Sequence, residues 1–221
     1  MYWHQYMALA CLAICFFACL WHFVRLVRLG KPNDLSQKSG SVAKAEVYSY
    51  TTAMLPNQKE SAYLHIPTFT SGIIFHIGTF ISLALFIVFF FTNTDIFREY
   101  LILAILMLLM LLALMLAAIS GFSLFLKRMF SKKLRALSTI DDYLSNFLTT
   151  LFQIFTGFYL IFGEMFAPYY YISASILLLY LPVGKLRHVV YFFAARYQLG
   201  FFYGWRNSWP PPQKKRNNKL N

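Results

Sequence analysis

Long apolar runs with few or no charges alternate with polar stretches along this chain, and the runs set its class. Crossing the ~30 Å hydrocarbon core of a bilayer takes about 20 apolar residues in a helix, which satisfies its own backbone donors and acceptors. Five runs meet that requirement: Trp3 to Phe23, Pro67 to Phe91, Leu101 to Leu126, Ile140 to Phe162 and Tyr169 to Ala195. The pattern predicts an all-α integral membrane protein with five transmembrane helices. Local chemistry agrees with several of the boundaries. Pro67 suits the first turn of a helix, and Asp141 and Asp142 suit the positive end of a helix dipole. The third run stops at Lys127 and Arg128.

The polar stretches predict connections. Gly30-Lys31-Pro32-Asn33-Asp34 is a turn signal opening a loop that reaches Ile66. Its mixed charge and few apolar residues suit packing on a partner or lining the membrane surface. Thr92 to Tyr100, Lys127 to Thr139 and Glu164 to Pro168 are shorter connections. The reading is one five-helix domain over residues 1–200 and a basic, extended tail over 201–221. The first run has its basic residues after it, at Arg25, Arg28 and Lys31, not before it as a cleaved signal peptide would. It is therefore expected to be a retained helix with its N-terminus outside.

Charge then orients the chain. With five crossings, the first loop and its flanks hold six basic residues on the inner side, the second inner loop five and the C-terminal stretch eight. Nineteen of the twenty basic residues fall inside, leaving Arg98 outside. That is a strong positive-inside pattern, and it places the C-terminus in the cytoplasm. It also accounts for the +12 net charge without nucleic acid. Composition agrees: 59% of residues are hydrophobic and 19% aromatic, with a mean hydropathy of +0.55. No stretch has the composition of a second, soluble domain.

Candidate chemistry is sparse. Cys11, Cys15 and Cys19 recur every four residues, which puts them on one helix face and favours close packing over redox chemistry. There is no Cys-x-x-Cys-His for covalent haem, and no cysteine set has iron–sulfur spacing. The histidines carry more. Ionisable groups at membrane depth are costly and default to a functional reading, and neutral imidazole is an axial ligand of haem iron. His76 lies about 13 Å from the inner face on the second run, and His188 about 12 Å from it on the fifth, at 1.5 Å per residue. Two imidazoles at one level on separate helices can clamp one iron. His22 and His65, near the inner interface, form a weaker second pair, with packing or interfacial roles as their default.

Phe75-His76-Ile77-Gly78 and Leu181-Pro182-Val183-Gly184-Lys185-Leu186-Arg187-His188 resemble the cytochrome b (gamma) subunit family of respiratory nitrate reductase. Ala195-Arg196-Tyr197-Gln198-Leu199-Gly200 and Ala53-Met54-Leu55-Pro56 look closer to its heterodisulfide-reductase-like, sulfite-reductase-linked branch. The resemblance covers essentially the whole chain. It implies His76 and His188 as the axial pair of a haem b near the inner face. The family commonly carries a second, outer pair. Here Phe86 and Tyr169-Tyr170-Tyr171 stand in those places, so one haem is expected.

The resemblance further implies an electron-transfer subunit of a quinone-linked oxidoreductase complex, not a complete enzyme alone. It would sit in a prokaryotic cytoplasmic membrane and relay electrons between quinone and a cytoplasmic iron–sulfur partner. Lys185, Arg187 and Arg196 are placed to compensate haem propionates, or simply to snorkel to the interface. Asp141, Asp142, His65 and Lys127 on the inner side, and Glu164 on the outer, are candidates for quinone proton exchange, with helix-end or loop charge as the ordinary alternative. The competing class is a non-redox membrane scaffold or a small transporter.

Overall fold

The computed structural model describes residues 2–30, 34–55, 58, 64–92 and 94–211. Lys31, Pro32, Asn33, Pro56, Lys59, Pro212, Lys214, Lys215, Arg216 and Lys219, on which parts of the sequence reading fall, lie outside the described residues, as does the side chain of Arg98. Every regular element among the described residues is helical. In chain order these are α1 (Trp3–Arg28), α2 (Val42–Tyr50), α3 (Ile66–Val88), α4 (Ile96–Glu99), α5 (Leu101–Phe130), α6 (Lys132–Ala136), α7 (Ile140–Phe162), α8 (Ala167–Tyr180) and α9 (His188–Trp205). Single 3-10 turns at Thr52–Met54, Gly163–Phe166 and Lys185–Arg187 link some of them.

Among the described residues, four stretches are long and apolar enough to cross a membrane: α1, α3, α5 and the helical stretch Ile140–Tyr180. The chain divides into two compact units. A bundle unit comprises Met1–Trp21 and His65–Arg187, and a hairpin unit comprises His22–Leu64 and His188–Asn221.

In the bundle unit, α3 packs on α5 and α7, α5 on α7, and α7 on α8. Helix α7 is built inside out for a soluble protein but correctly for a bilayer. Asp142, Ser145, Thr149, Gln153 and Thr156 recur every three or four residues and are all buried, while Phe147, Ile154, Phe158 and Ile161 are exposed. Lipid tails reward apolar side chains as well as a core does, so polar groups retreat to the interior. Thr139 and Asp142 form a reciprocal capping box at the start of α7. Gly163, at φ +60°, ends it in a conformation that costs glycine nothing, and α8 folds back on α7.

The fifth expected helix is not continuous. The run Tyr169 to Ala195 divides into α8, a turn from Leu181 to Gly184, the 3-10 turn Lys185–Arg187, and α9. Pro182 has no N–H for an intrahelical bond. The chain tightens instead, with the N–H groups of Val183 and Gly184 both reaching Tyr180 O, at 3.1 and 2.8 Å. The 14 residues of α8 extend about 21 Å, short of the ~30 Å hydrocarbon core.

In the hairpin unit the first loop is not merely a surface lining, because its α2 packs along α9. The tail is not extended from residue 201 either. Helix α9 runs to Trp205, and the segment that follows folds back, with Trp209 stacked on Tyr203 at 4.6 Å between ring centroids.

Candidate functional site

Helix α3 holds His76 by gripping its neighbours. The buried Gln153 donates through Nε2 to Phe75 O at 3.0 Å and to Thr79 Oγ1 at 2.9 Å. Gly78, Ser82, Leu85 and Phe86 are buried on the same side of α3. His76 lies on the other face with Ile73, Ile77 and Phe80, exposed to the surroundings of the bundle unit. Ten residues past Ile66, it lies about 15 Å along the helix. The result is an imidazole presented sideways near mid-span by a helix fixed from behind.

His188 is the first residue of α9 and is exposed. It therefore opens a helix, where a position two turns inside one was expected, and it belongs to the hairpin unit while His76 belongs to the bundle unit. Arg187 ends the preceding 3-10 turn and is exposed. Lys185 pairs with Asp142, and Arg128 Nη1 reaches the same carboxylate oxygen at 2.7 Å. The Thr139 backbone N–H donates to the other oxygen at 3.0 Å. Asp142, only 7% exposed, is thus the junction of α5, α7 and the exit from α8. A buried carboxylate needs such partners, and this pairing employs Lys185 within the bundle unit. Arg196 lies 5.5 Å over the Phe192 ring, and its backbone oxygen accepts from Ser49 Oγ at 2.8 Å.

Of the weaker candidates, His22 Nδ1 lies 3.2 Å from the Tyr191 hydroxyl, while His65 precedes α3 and is exposed. Lys127 donates to Thr68, Asp141 supplies its backbone oxygen to Tyr180 at 3.2 Å, and Glu164 is exposed in the turn between α7 and α8.

Sequence reasoning missed Gln153 and His4. A lone amide amid apolar residues at helical spacing from Thr149 and Thr156 was the available signal for Gln153. For His4 there was none. It is 4% exposed and stacks on Tyr171 at 5.3 Å, with Gln5 Nε2 donating to the Tyr171 hydroxyl at 3.4 Å. That end of the bundle unit is filled. Phe86, Phe152, Tyr159, Tyr170 and Tyr171 are each 0 or 1% exposed, with Tyr170 sandwiched between Tyr159 at 4.7 Å and Phe152 at 5.8 Å.

No family model, curated protein or solved structure matches this chain. The donor chemistry narrows what the site residues fit. No three His, Cys, Asp or Glu side chains gather to hold a bare metal ion among the described residues. Haem brings four nitrogen donors of its own and asks the protein for one or two axial ligands. An exposed imidazole, such as His76 in the bundle unit or His188 in the hairpin unit, is of the type that can supply one such ligand.

Proposed function

We propose that this chain is a haem b membrane subunit of a respiratory redox complex. In this reading it relays electrons between a membrane quinone and an iron–sulfur partner on the cytoplasmic side of a prokaryotic inner membrane. The observation that carries the reading is His76: an imidazole on the open face of an apolar span, with the opposite face locked by Gln153. When bound, haem supplies a one-electron couple within the bilayer. His76 and His188 would serve as axial ligands. Arg187 and Arg196 would meet the propionates, with Lys185 held back by Asp142. Buried Phe86 and Tyr170 support one haem per chain, because their rings fill the space that outer ligands would need.

The topology proposed with it keeps the N-terminus outside and the basic segments inside, with α8 as a short fifth crossing that leaves the hydrocarbon at Pro182. C-terminal fusions to a cytoplasm-dependent reporter should be active and periplasm-dependent ones silent.

A second reading, a small transporter, gains from the interruption between Tyr180 and His188, since broken helices mark many transporter sites. A reduced-minus-oxidised absorbance spectrum of protein purified from haem-replete membranes separates the two. The haem reading expects a low-spin b spectrum and about one haem per chain by pyridine haemochrome. His76→Ala and His188→Ala should each strip most of that haem, and His4→Ala should retain it. A colourless folded protein would sink the reading.

A further inference from the structure

The hairpin unit contains an open apolar cavity of about 620 Å³, within the ~300–1,000 Å³ range of small-molecule sites. Its walls come from the last turns of α1, the end of α2 and the first three turns of α9, and include Leu26, Val27, Tyr50, Phe193, Ala194 and Gln198. Val27 is 62% and Phe193 62% exposed. A concave apolar wall this open, bordered along the chain by basic residues, calls for a cover of definite chemistry.

Two observations identify that cover. The first is position: one wall is the closing end of a helix long and apolar enough to cross a membrane, where its apolar run gives way to basic residues. The second is charge. Arg25 and Arg28 flank the lining residues Leu26 and Val27 in the chain and are exposed. The described acidic residues of this unit are Asp34 and Glu46, and Asp34 is already paired with Arg206 at 2.6 Å. Long arginine stems cover apolar surface while their heads reach the interface.

We propose that this cavity is a binding site for an anionic phospholipid, one acyl chain lying along Val27, Phe193 and Ala194 and its phosphate drawn to Arg25 and Arg28. Tyr50 closes the inner end, its hydroxyl donating to Phe193 O at 2.6 Å, and the Gln198 amide offers the headgroup a neutral hydrogen-bonding partner. Annular lipid would also wet these side chains, but without preference for headgroup charge and without defined stoichiometry. The site does not depend on the haem reading, and its test reads lipid alone.

The full-length protein, equilibrated in bilayers of equal dioleoyl phosphatidylglycerol and dioleoyl phosphatidylcholine, is extracted in mild detergent and its retained lipid counted by native mass spectrometry. We expect about one phosphatidylglycerol per chain, at least tenfold over phosphatidylcholine. Ala194→Trp, which fills the cavity, should abolish that retention. Arg25→Gln with Arg28→Gln should lower it roughly tenfold or more, at about 1 kcal/mol per cation near an anionic surface. Equal retention of the two lipids by the wild type overturns the proposal without recourse to any variant. So does phosphatidylglycerol retention that survives Ala194→Trp, or retention of a membrane quinone in its place.

Discussion

The aromatic end of the bundle unit, where α7 meets α8, and the hairpin unit bring helices together with side chains of opposite size. In the bundle, large rings interlock: Tyr170 lies nearly parallel to both Tyr159 and Phe152, at 15° and 17°, and Phe89 meets Tyr159 edge-on at 5.0 Å. Such pairs contribute about 0.5–1.5 kcal/mol each beyond area burial. In the hairpin, small residues form the middle of the contact, with the Tyr50 ring meeting Phe193 at one end. Gly204 of α9 faces Ala45 of α2, which is 0% exposed, and a Cβ built on Gly200 would lie 2.6 Å from Glu46 Cα. Backbone then meets backbone, and Ser49 can reach the Arg196 carbonyl oxygen at 2.8 Å.

The difference teaches what each environment rewards. Within lipid, burying an apolar side chain gains little, because the lipid is equally apolar. The bundle therefore depends on shape and on inward polar groups such as Gln153. The hairpin depends on close approach and on backbone hydrogen bonds that clamp its ends. Trp205 Nε1 donates to Ser36 O at 2.8 Å, and the Ser39 N–H donates to Trp205 O at 2.9 Å.

The largest expected effect is on the bundle. Tyr170→Ala removes a fully buried ring and should cost about 3 kcal/mol, the low end for deleting a core aromatic, because the transfer contribution is small in lipid. Steric-trapping or detergent-unfolding measurements read it directly, and a loss below about 1 kcal/mol would mean that the rings are not what holds this unit.

An intermediate effect is expected in the hairpin from the opposite change. Gly200→Leu adds a side chain where α2 backbone already stands, and overpacking of that kind costs about 1–3 kcal/mol. Hydrogen exchange should rise through α2 and the second half of α9. Unchanged protection there would refute contact by small residues.

The smallest effect is electrostatic and lies at the hairpin's end. Hydrogen bonds from the Ser36 hydroxyl and backbone N–H, at 2.7 and 3.0 Å, hold the Asp34 carboxyl below the usual carboxylate range, with Arg206 adding to them. A depressed folded value means the contribution is complete above the ordinary pKa of about 3.9 and fades as pH falls toward the folded one. Tryptophan fluorescence from Trp205 should thus be flat from neutral pH to about 5 and drift below about 4, and Asp34→Asn should remove the drift. A transition near pH 6 would implicate a histidine instead.

Much of this was legible beforehand. The apolar runs located α1, α3, α5 and α7 to within a few residues, and the acids at 141 and 142 marked the start of α7. Pro182 and Gly184 carried the break in the last run, yet the surrounding hydropathy outweighed them. The candidate site was legible only as residue types. His76 was recognised by its depth in a span, but which way it points was set by Gln153, seventy-seven positions later in the chain.

The sequence by itself determined a helical chain able to cross a membrane several times, since hydropathy over twenty residues is a local property that the bilayer reads directly. It also placed the positive charge on alternate connections. Only the tertiary structure decided that Asp142 would join Arg128 and Lys185, that His4 would be buried on Tyr171, and that a polar loop would become the partner of α9. Each depends on a pairing between distant segments. Inside a bilayer, moreover, an apolar residue facing lipid and one facing protein satisfy the same local preference, so the pattern along the chain does not distinguish them.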